Sequence, residues 1–426
     1  MKRVFLKILN RIIGSLNYEY FIAKRINSNK AYKSSISAPI IKIGIAAIVI
    51  GIVVMIITIA TGIGLQQKIR DKVVAFNGHI TITNYDSNNS QESIVPVSTD
   101  QDFYPQFTSV NQVKHIQGII TKLGVIRTET DFEGAVLKGV GADYNWTYFK
   151  DFLIEGRLPD YTKKRNQDVL ISQYLANRLN FKLNQTFQMV FVKDDPEKLP
   201  NIITYKIVGI YNSGFQDFDA TYVLGDIRHM QRIKKWKSNE VGNFEVFVKD
   251  YSNLDQTWAS VHEQLPSLID SYKVTDKFPS IFEWIKIFDK NIYGIIGIMI
   301  LVAGINMITA LLVLILERTQ MIGLLKALGS NNWSVRKVFL YNASYLIIRG
   351  LIWGNVIGIS LLLIQKYFKV FPLDPSVYYV SQAPVYINAG YIIALNLGTL
   401  ILCLFMLLIP SYIITKIAPV KAMRFK

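Results

Sequence analysis

Cysteine is nearly absent from this chain: Cys403 is its single thiol in 426 residues. It falls inside an apolar run, so the polar regions hold no disulfide and no thiolate metal site. A domain without disulfides is held by its own core, which about 200 residues can supply. Histidine is scarce as well, and His79, His115, His229 and His262 are scattered without metal-ligand spacing. No G-x-x-x-x-G-K-[ST] occurs, which excludes a P-loop cradle for ATP phosphates, and neither G-x-S-x-G nor H-E-x-x-H is present. The long apolar runs also lack Asp and Glu, the groups a proton-driven carrier would need inside a membrane. The chain is therefore expected to be no enzyme, to bind no metal or cofactor itself, and to draw any energy from a partner.

What is present is hydrophobicity, at 50% of residues, concentrated in uncharged runs at Ile43–Gln67, Asn291–Leu316, Gly350–Gln365 and Ile387–Thr415. A bilayer core needs roughly 20 apolar residues in helical form, so the first, second and fourth runs qualify outright. The third qualifies only by extending back to Val338 across Arg349. Met1–Lys42 is too long and too basic for a signal-peptide n-region, so the first run is expected to stay as an anchor.

The net charge of +16 is not spread evenly. Residues 1–42 hold nine Lys/Arg against one acid, 317–349 hold five against Glu317, and 416–426 hold four against none. Residues 65–288 are close to neutral, with 26 basic and 27 acidic side chains. The positive-inside rule places the three basic segments in the cytoplasm, with both termini there, and 65–288 and 366–386 outside. Because the charge flanks the apolar runs, it speaks for membrane lipids and against a nucleic-acid partner.

The expected fold is a membrane α-helical protein of four transmembrane helices in a 1+3 arrangement, with an extracytoplasmic mixed α/β domain. In order, this gives an amphipathic cytoplasmic region (1–38), spans at 39–64, 289–316, 338–365 and 387–415, the outer domain 65–288, a cytoplasmic loop 317–337, an outer loop 366–386 and a tail 416–426. Within the outer domain, His79–Asn84, Tyr205–Tyr211 and Asn243–Lys249 alternate as strands do, and Val169–Ile171 is a short strand. Ser172 is placed to cap a helix burying Leu175, Ala176 and Leu179, and Leu254–Leu265 is a further helix. Asn84–Gln106 lacks any pattern and is expected to be a mobile loop. Gly44 and Gly51 lie on one face of the first span and suit close helix approach; Asn306 suits a hydrogen bond between helices. Arg349 is expected to reach the cytoplasmic headgroups, or to pair with a lipid phosphate or Glu317.

In Glu317–Phe339, ERTQMIGLLKALGSNNWSVRKVF, residues Met321, Ile322, Leu325 and Leu328 recur at helical spacing and Gly329 is placed to stop the helix. A short amphipathic helix of this kind suits a groove in a cytoplasmic partner. The segment resembles the coupling helix of FtsX-like permeases, the superfamily of the MacB-type pumps. YFIAKRINSNK, GLQQKIRDKVVAFNGHITI, DFLIEGRLPD, DVLISQYLANRLNFKLNQTF, YKIVGIYNSGFQDFD, LDPSVYYV and IPSYIITKIAPVKAMRF follow in collinear order. Together they are similar to the lipoprotein-releasing, Lol-type permeases.

That resemblance implies a MacB-like periplasmic domain and a permease of the bacterial inner membrane, paired with a second copy or a paralogue. Its partners would be a LolD-type cytoplasmic ABC ATPase that binds the ATP and Mg, a lipoprotein substrate, and a periplasmic LolA-type carrier. Coupling to the ATPase would fall to Glu317, Arg318, Met321, Ile322, Leu324, Leu325, Lys326, Leu328 and Gly329. The carrier-binding hook would be Val192–Thr204, with Asp194, Asp195, Pro196, Lys198 and Pro200; a plain surface turn is the alternative there. Acyl chains would sit between the first and second spans of the two permeases, against Ile52, Met55, Ile56 and Ile59 of span one and Ile298, Met299, Val302, Ile305 and Asn306 of span two. The rival functions are MacB-like export of peptides or small molecules, FtsX-type signalling to cell-wall hydrolases, and a membrane scaffold without an ATPase.

Overall fold

The computed structural model describes residues 18–28, 38–87, 90–193, 197 and 199–417. Most of the expected amphipathic N-terminal region, and the hook residues Asp194, Asp195, Pro196 and Lys198, lie outside the described residues. The chain forms two compact units: residues 1–64, 287–371 and 384–426 make one, and 65–286 with 372–383 make the other.

Among the described residues, four helices are long and apolar enough to cross a membrane. They are Ala38–Asn77 (span one), Pro279–Glu317 (span two), Asn332–Phe368 (span three) and Ala389–Ser411 (span four), the last followed by the short helix Ile413–Lys416. Span three contributes a glycine stripe, Gly350, Gly354 and Gly358, into which span one seats Ile48, Ile52 and Ile56. A methyl group on Gly354 would lie 2.8 Å from Ile52 Cβ and 3.2 Å from the Val49 carbonyl, so only glycine allows this approach. Gly44 of span one faces span two, where an added Cβ would come 3.3 Å from that of Ala310. Spans three and four are joined by reciprocal amide bonds: Asn355 Nδ2 donates to Asn396 Oδ1 (2.6 Å) and Asn396 Nδ2 donates to Asn355 Oδ1 (3.0 Å). Asn306, expected to bond between helices, instead donates from Nδ2 to Val302 O one turn back in its own helix (2.9 Å). The guanidinium of Arg349 lies over the Tyr345 ring, 5.6 Å from its centroid.

The α/β unit is built on the strands β1 (Ile80–Asn84), β2 (Val97–Ser98), β3 (Val113–Arg127), β4 (Phe132–Val140), β5 (Leu153–Gly156), β6 (Asp168–Ser172), β7 (Thr186–Phe191), β8 (Asn201–Tyr211), β9 (Tyr222–Asp226), β10 (Glu240–Val241), β11 (Asn243–Val248) and β12 (Ile269–Lys273). Ten of them form one sheet in the order β12-β1-β11-β3-β4-β9-β6-β8-β5, with β7 pairing β3 and β8. Ser172 ends β6 and caps the helix Gln173–Arg178, its Oγ accepting from Leu175 N (3.1 Å), and Leu175 and Ala176 are buried. The segment expected as a patternless loop is instead partly packed: β2 pairs with β10, and Phe103 stacks on Phe107 and meets Phe244 edge-on. The aromatic content that buries it is carried by residues too widely spaced to give a strand or helix period.

Below β4 and β11 lies a buried ion pair. Lys138 Nζ donates to Glu245 Oε1 and to Phe76 O, each at 2.7 Å, and Gln117 Nε2 donates to Glu245 Oε2 (2.9 Å). Lys138 thus satisfies a carbonyl at the C-terminal end of the first long helix, where a cation is electrostatically favoured. Beside it, Lys277 donates to Asn77 Oδ1 (3.0 Å), and burial pushes its pKa down to about 8. His79 is also buried, its Nδ1 accepting from Val248 N (3.3 Å), and desolvation pushes its pKa down to about 4.

Candidate functional site

Span two ends at Glu317, and the chain turns at once into the helix Thr319–Ala327, with Arg318 at its N-cap position. Gly329 stops that helix at φ +94°, a conformation that costs a residue with a side chain. Gly329 N donates to Lys326 O and Ser330 N to Leu325 O, both at 3.0 Å, which is the hydrogen-bond pair of a Schellman cap. Asn331 then caps span three, its Oδ1 accepting from Ser334 N (2.7 Å). The short helix is therefore bounded by a defined turn on the span-three side rather than by a slack loop.

Its two faces differ. Ile322 and Leu325 are buried in the same apolar cluster as Val335 and Phe339, and Met321 is half-buried against it. Gln320, Leu324, Ala327 and Leu328 form the outward stripe, with Leu324 54% and Leu328 76% exposed, and Trp333 stands exposed just beyond the turn. Of the residues expected to dock a partner, Ile322 and Leu325 therefore serve the protein's own core. The helical period identifies an apolar side, but where span three folds back decides which apolar residues are left outside.

Lys326 is committed inward. Its Nζ donates to Ile414 O (2.6 Å) and Ile417 O (2.8 Å), with Thr415 O at 3.4 Å, so it caps the last turn after span four. Arg336 of span three reaches the same end: Nη2 donates to Leu408 O (2.9 Å) and Nε to Ser411 Oγ (3.1 Å). The N-terminal helix Tyr18–Ser28 also lies against this region, with Tyr18 and Ser330 hydroxyls 2.7 Å apart and Tyr20 edge-on to Tyr341.

In the α/β unit, β8 starts at Asn201, four residues earlier than its alternation suggested, because Asn201–Thr204 pair with Phe191–Gln188 of β7. The hairpin loop is correspondingly shorter and Pro200 is exposed in it. Val192, Leu199 and Ile202 are exposed at this hairpin, Leu199 to 84%.

The membrane faces separate the expected cavity residues into two groups. Ile298, Val302 and Ile305 lie on an exposed face of span two, with Met299 and Asn306 half-buried at its edge. Ile52, Met55 and Ile56 are buried, Ile52 and Ile56 against the span-three glycines, and Ile59 is half-buried. The structure thus does not bring the span-one and span-two groups onto one open wall of this chain.

With this geometry in hand, the comparisons are specific. Residues 43–264 match the MacB-like periplasmic core domain family, and residues 293–419 match the FtsX-like permease C-terminal family. The chain belongs to the MacB-like, FtsX-like family of ABC-transporter permeases. It is a membrane protein with a periplasmic α/β domain. Similar relatives include the "Lipoprotein-releasing system transmembrane protein LolC" of Xylella fastidiosa, 20% identical over 98% of this chain and 100% of that protein. The LolC of Buchnera aphidicola subsp. Schizaphis graminum is 21% identical over 89% of this chain and 92% of its own, and the LolE of Haemophilus influenzae 19% over 96% and 99%. Among solved structures, the periplasmic region of MacB from Actinobacillus actinomycetemcomitans aligns with TM-score 0.33 at 14% identity, covering 49% of this chain and 95% of that one.

In this permease the signal that sequence reasoning overlooked is the run GLIWGNVIG, Gly350 to Gly358, which packs span three on span one. Small residues every fourth position in an apolar helix are the pattern that could have found it. Arg336 carries no such signal, and Lys326, expected at the partner surface, turns inward instead; their partners are carbonyls and a hydroxyl that no spacing rule in the sequence announces.

Proposed function

We propose that this permease is the membrane subunit of a transporter that extracts lipoproteins from the inner membrane and passes them to a periplasmic carrier. A separate cytoplasmic ATPase drives it, and bond chemistry is left to that partner. The observation that carries the reading is the exposed stripe Gln320, Leu324, Ala327 and Leu328 on a short helix held between two spans by a Schellman turn. Such a stripe is apolar where it leaves the membrane surface, and it suits helix-in-groove docking by Leu324 and Leu328 with Trp333 beside them. The basic flanks put this helix and both termini in the cytoplasm.

The naming of its relatives as lipoprotein-releasing proteins supports the cargo. The exposed apolar face Ile298–Ile305 of span two is the wall offered to acyl chains, and a second permease copy would close it. Val192, Leu199 and Ile202 make the hairpin of β7 and β8 the surface for the carrier, as exposed apolar side chains suit a hydrophobic cleft. The test is co-purification. Leu324 is 54% exposed, so Leu324→Glu should fold and lose the ATPase, while retained ATPase in that variant and in Leu328→Glu would reject the docking reading.

A further inference from the structure

We infer that span four is the first output of the docking helix, and that Lys326 and Arg336 are the positioning residues that link them. The inference rests on the docking reading above and goes beyond it, since the docking helix is joined covalently to spans two and three and not to four.

The geometry separates two kinds of contact. Ile322 and Leu325 meet the core through apolar surface, which is non-directional and tolerates sliding. Lys326, on the same helix, holds the carbonyls of Ile414 and Ile417 at 2.6 and 2.8 Å. Those oxygens belong to the end of the short helix Ile413–Lys416, the last helix among the described residues, and helix-end carbonyls take partners from outside the helical ladder. A cation there is favoured by the helix dipole, and its hydrogen bonds are charge-assisted and directional. Pro410, inside span four, has no N–H for Met406 O, and Tyr412 N donates to Ile409 O (3.0 Å) rather than to Leu408 O, so the backbone ladder is interrupted where Arg336 takes Leu408 O and Ser411 Oγ. The piece beyond Pro410 is thus tied to the docking helix and to the start of span three while its own ladder is weakened. A push on Leu324 and Leu328 therefore reaches the end of span four through Lys326 before any side chain has to repack.

The experiment uses the full permease in complex with its ATPase in nanodiscs, with Cys403 replaced by Ala and a fluorescent probe on Ile409→Cys, which is 80% exposed on span four. ATP should change the probe signal in this background. Lys326→Met should keep the ATPase bound and hydrolysis within about twofold, yet lose most of the signal change, and Lys326→Arg should restore it. Should Lys326→Met fail to accumulate, Arg336→Leu reads the same link. An undiminished signal in Lys326→Met (or Arg336→Leu), or no ATP-driven signal in the parent complex, overturns the inference. Loss of the ATPase from Lys326→Met also overturns it, by placing Lys326 on the docking face. Leu324→Glu and Leu328→Glu run in parallel isolate the underlying reading: ATPase retained in both rejects docking, whatever the Lys326 variants do.

Discussion

Removing Lys138 should cost the periplasmic domain a large fraction of its stability. In Lys138→Met the Glu245 carboxylate stays buried at 2% side-chain exposure with Gln117 as its remaining side-chain donor, and Phe76 O loses its partner. Breaking one side of a buried ion pair costs about 3–5 kcal/mol, because the surviving charge is stranded in a low-dielectric site. That is comparable with the whole stability of many domains, about 5–15 kcal/mol. The double variant Lys138→Met, Glu245→Leu should recover most of the loss, since a well-packed apolar pair replaces a buried ion pair at little or no cost. Hydrogen exchange on the full chain in nanodiscs reads this directly at the amides of β3 and β11. The single variant should exchange there faster by about two to three orders of magnitude, given about 1.4 kcal/mol per tenfold. A single variant within about threefold of the parent, or a double variant worse than the single, would refute the reasoning.

Two more outcomes follow from the packing and the titrating groups. His79 has its pKa lowered from 6.5 to about 4 by burial, so the unfolded chain binds the extra proton first. Stability is full above pH 6.5 and falls as pH drops toward 4, by up to about 3 kcal/mol, and His79→Gln should flatten that slope in thermal unfolding of the full chain. Gly354→Ala should lower the melting temperature of the detergent-solubilised permease, because its Cβ would meet Ile52 Cβ at 2.8 Å, whereas Gly297→Ala, with nothing within 4 Å, should leave it unchanged or raise it.

The parts of this protein that were legible in its sequence are those whose signal is local. Four apolar runs, the alternation in β1 and β11, the Ser172 cap and the Gly329 stop each depend on residues within one or two turns of each other. What stayed hidden depends on chain reversals. Ile322 and Leu324 are two residues apart and equally apolar, and only the return of span three makes one core and the other surface. Lys138 and Glu245 meet across 107 positions, and Lys326 finds Ile417 across 91. Phe103 enters the core from a stretch too irregular to show a period. On span one an apolar face can meet lipid, cargo or a neighbouring helix, and the glycines that claim Ile52 and Ile56 lie some three hundred residues away in the chain.

The central claim is lipoprotein release, and the most direct measurement is depletion of this protein in its host followed by fractionation of the membranes. Outer-membrane lipoproteins should accumulate in the inner membrane while non-lipidated outer-membrane proteins still reach their destination. Unchanged lipoprotein sorting after depletion would contradict the account and leave a permease of the same fold exporting some other cargo.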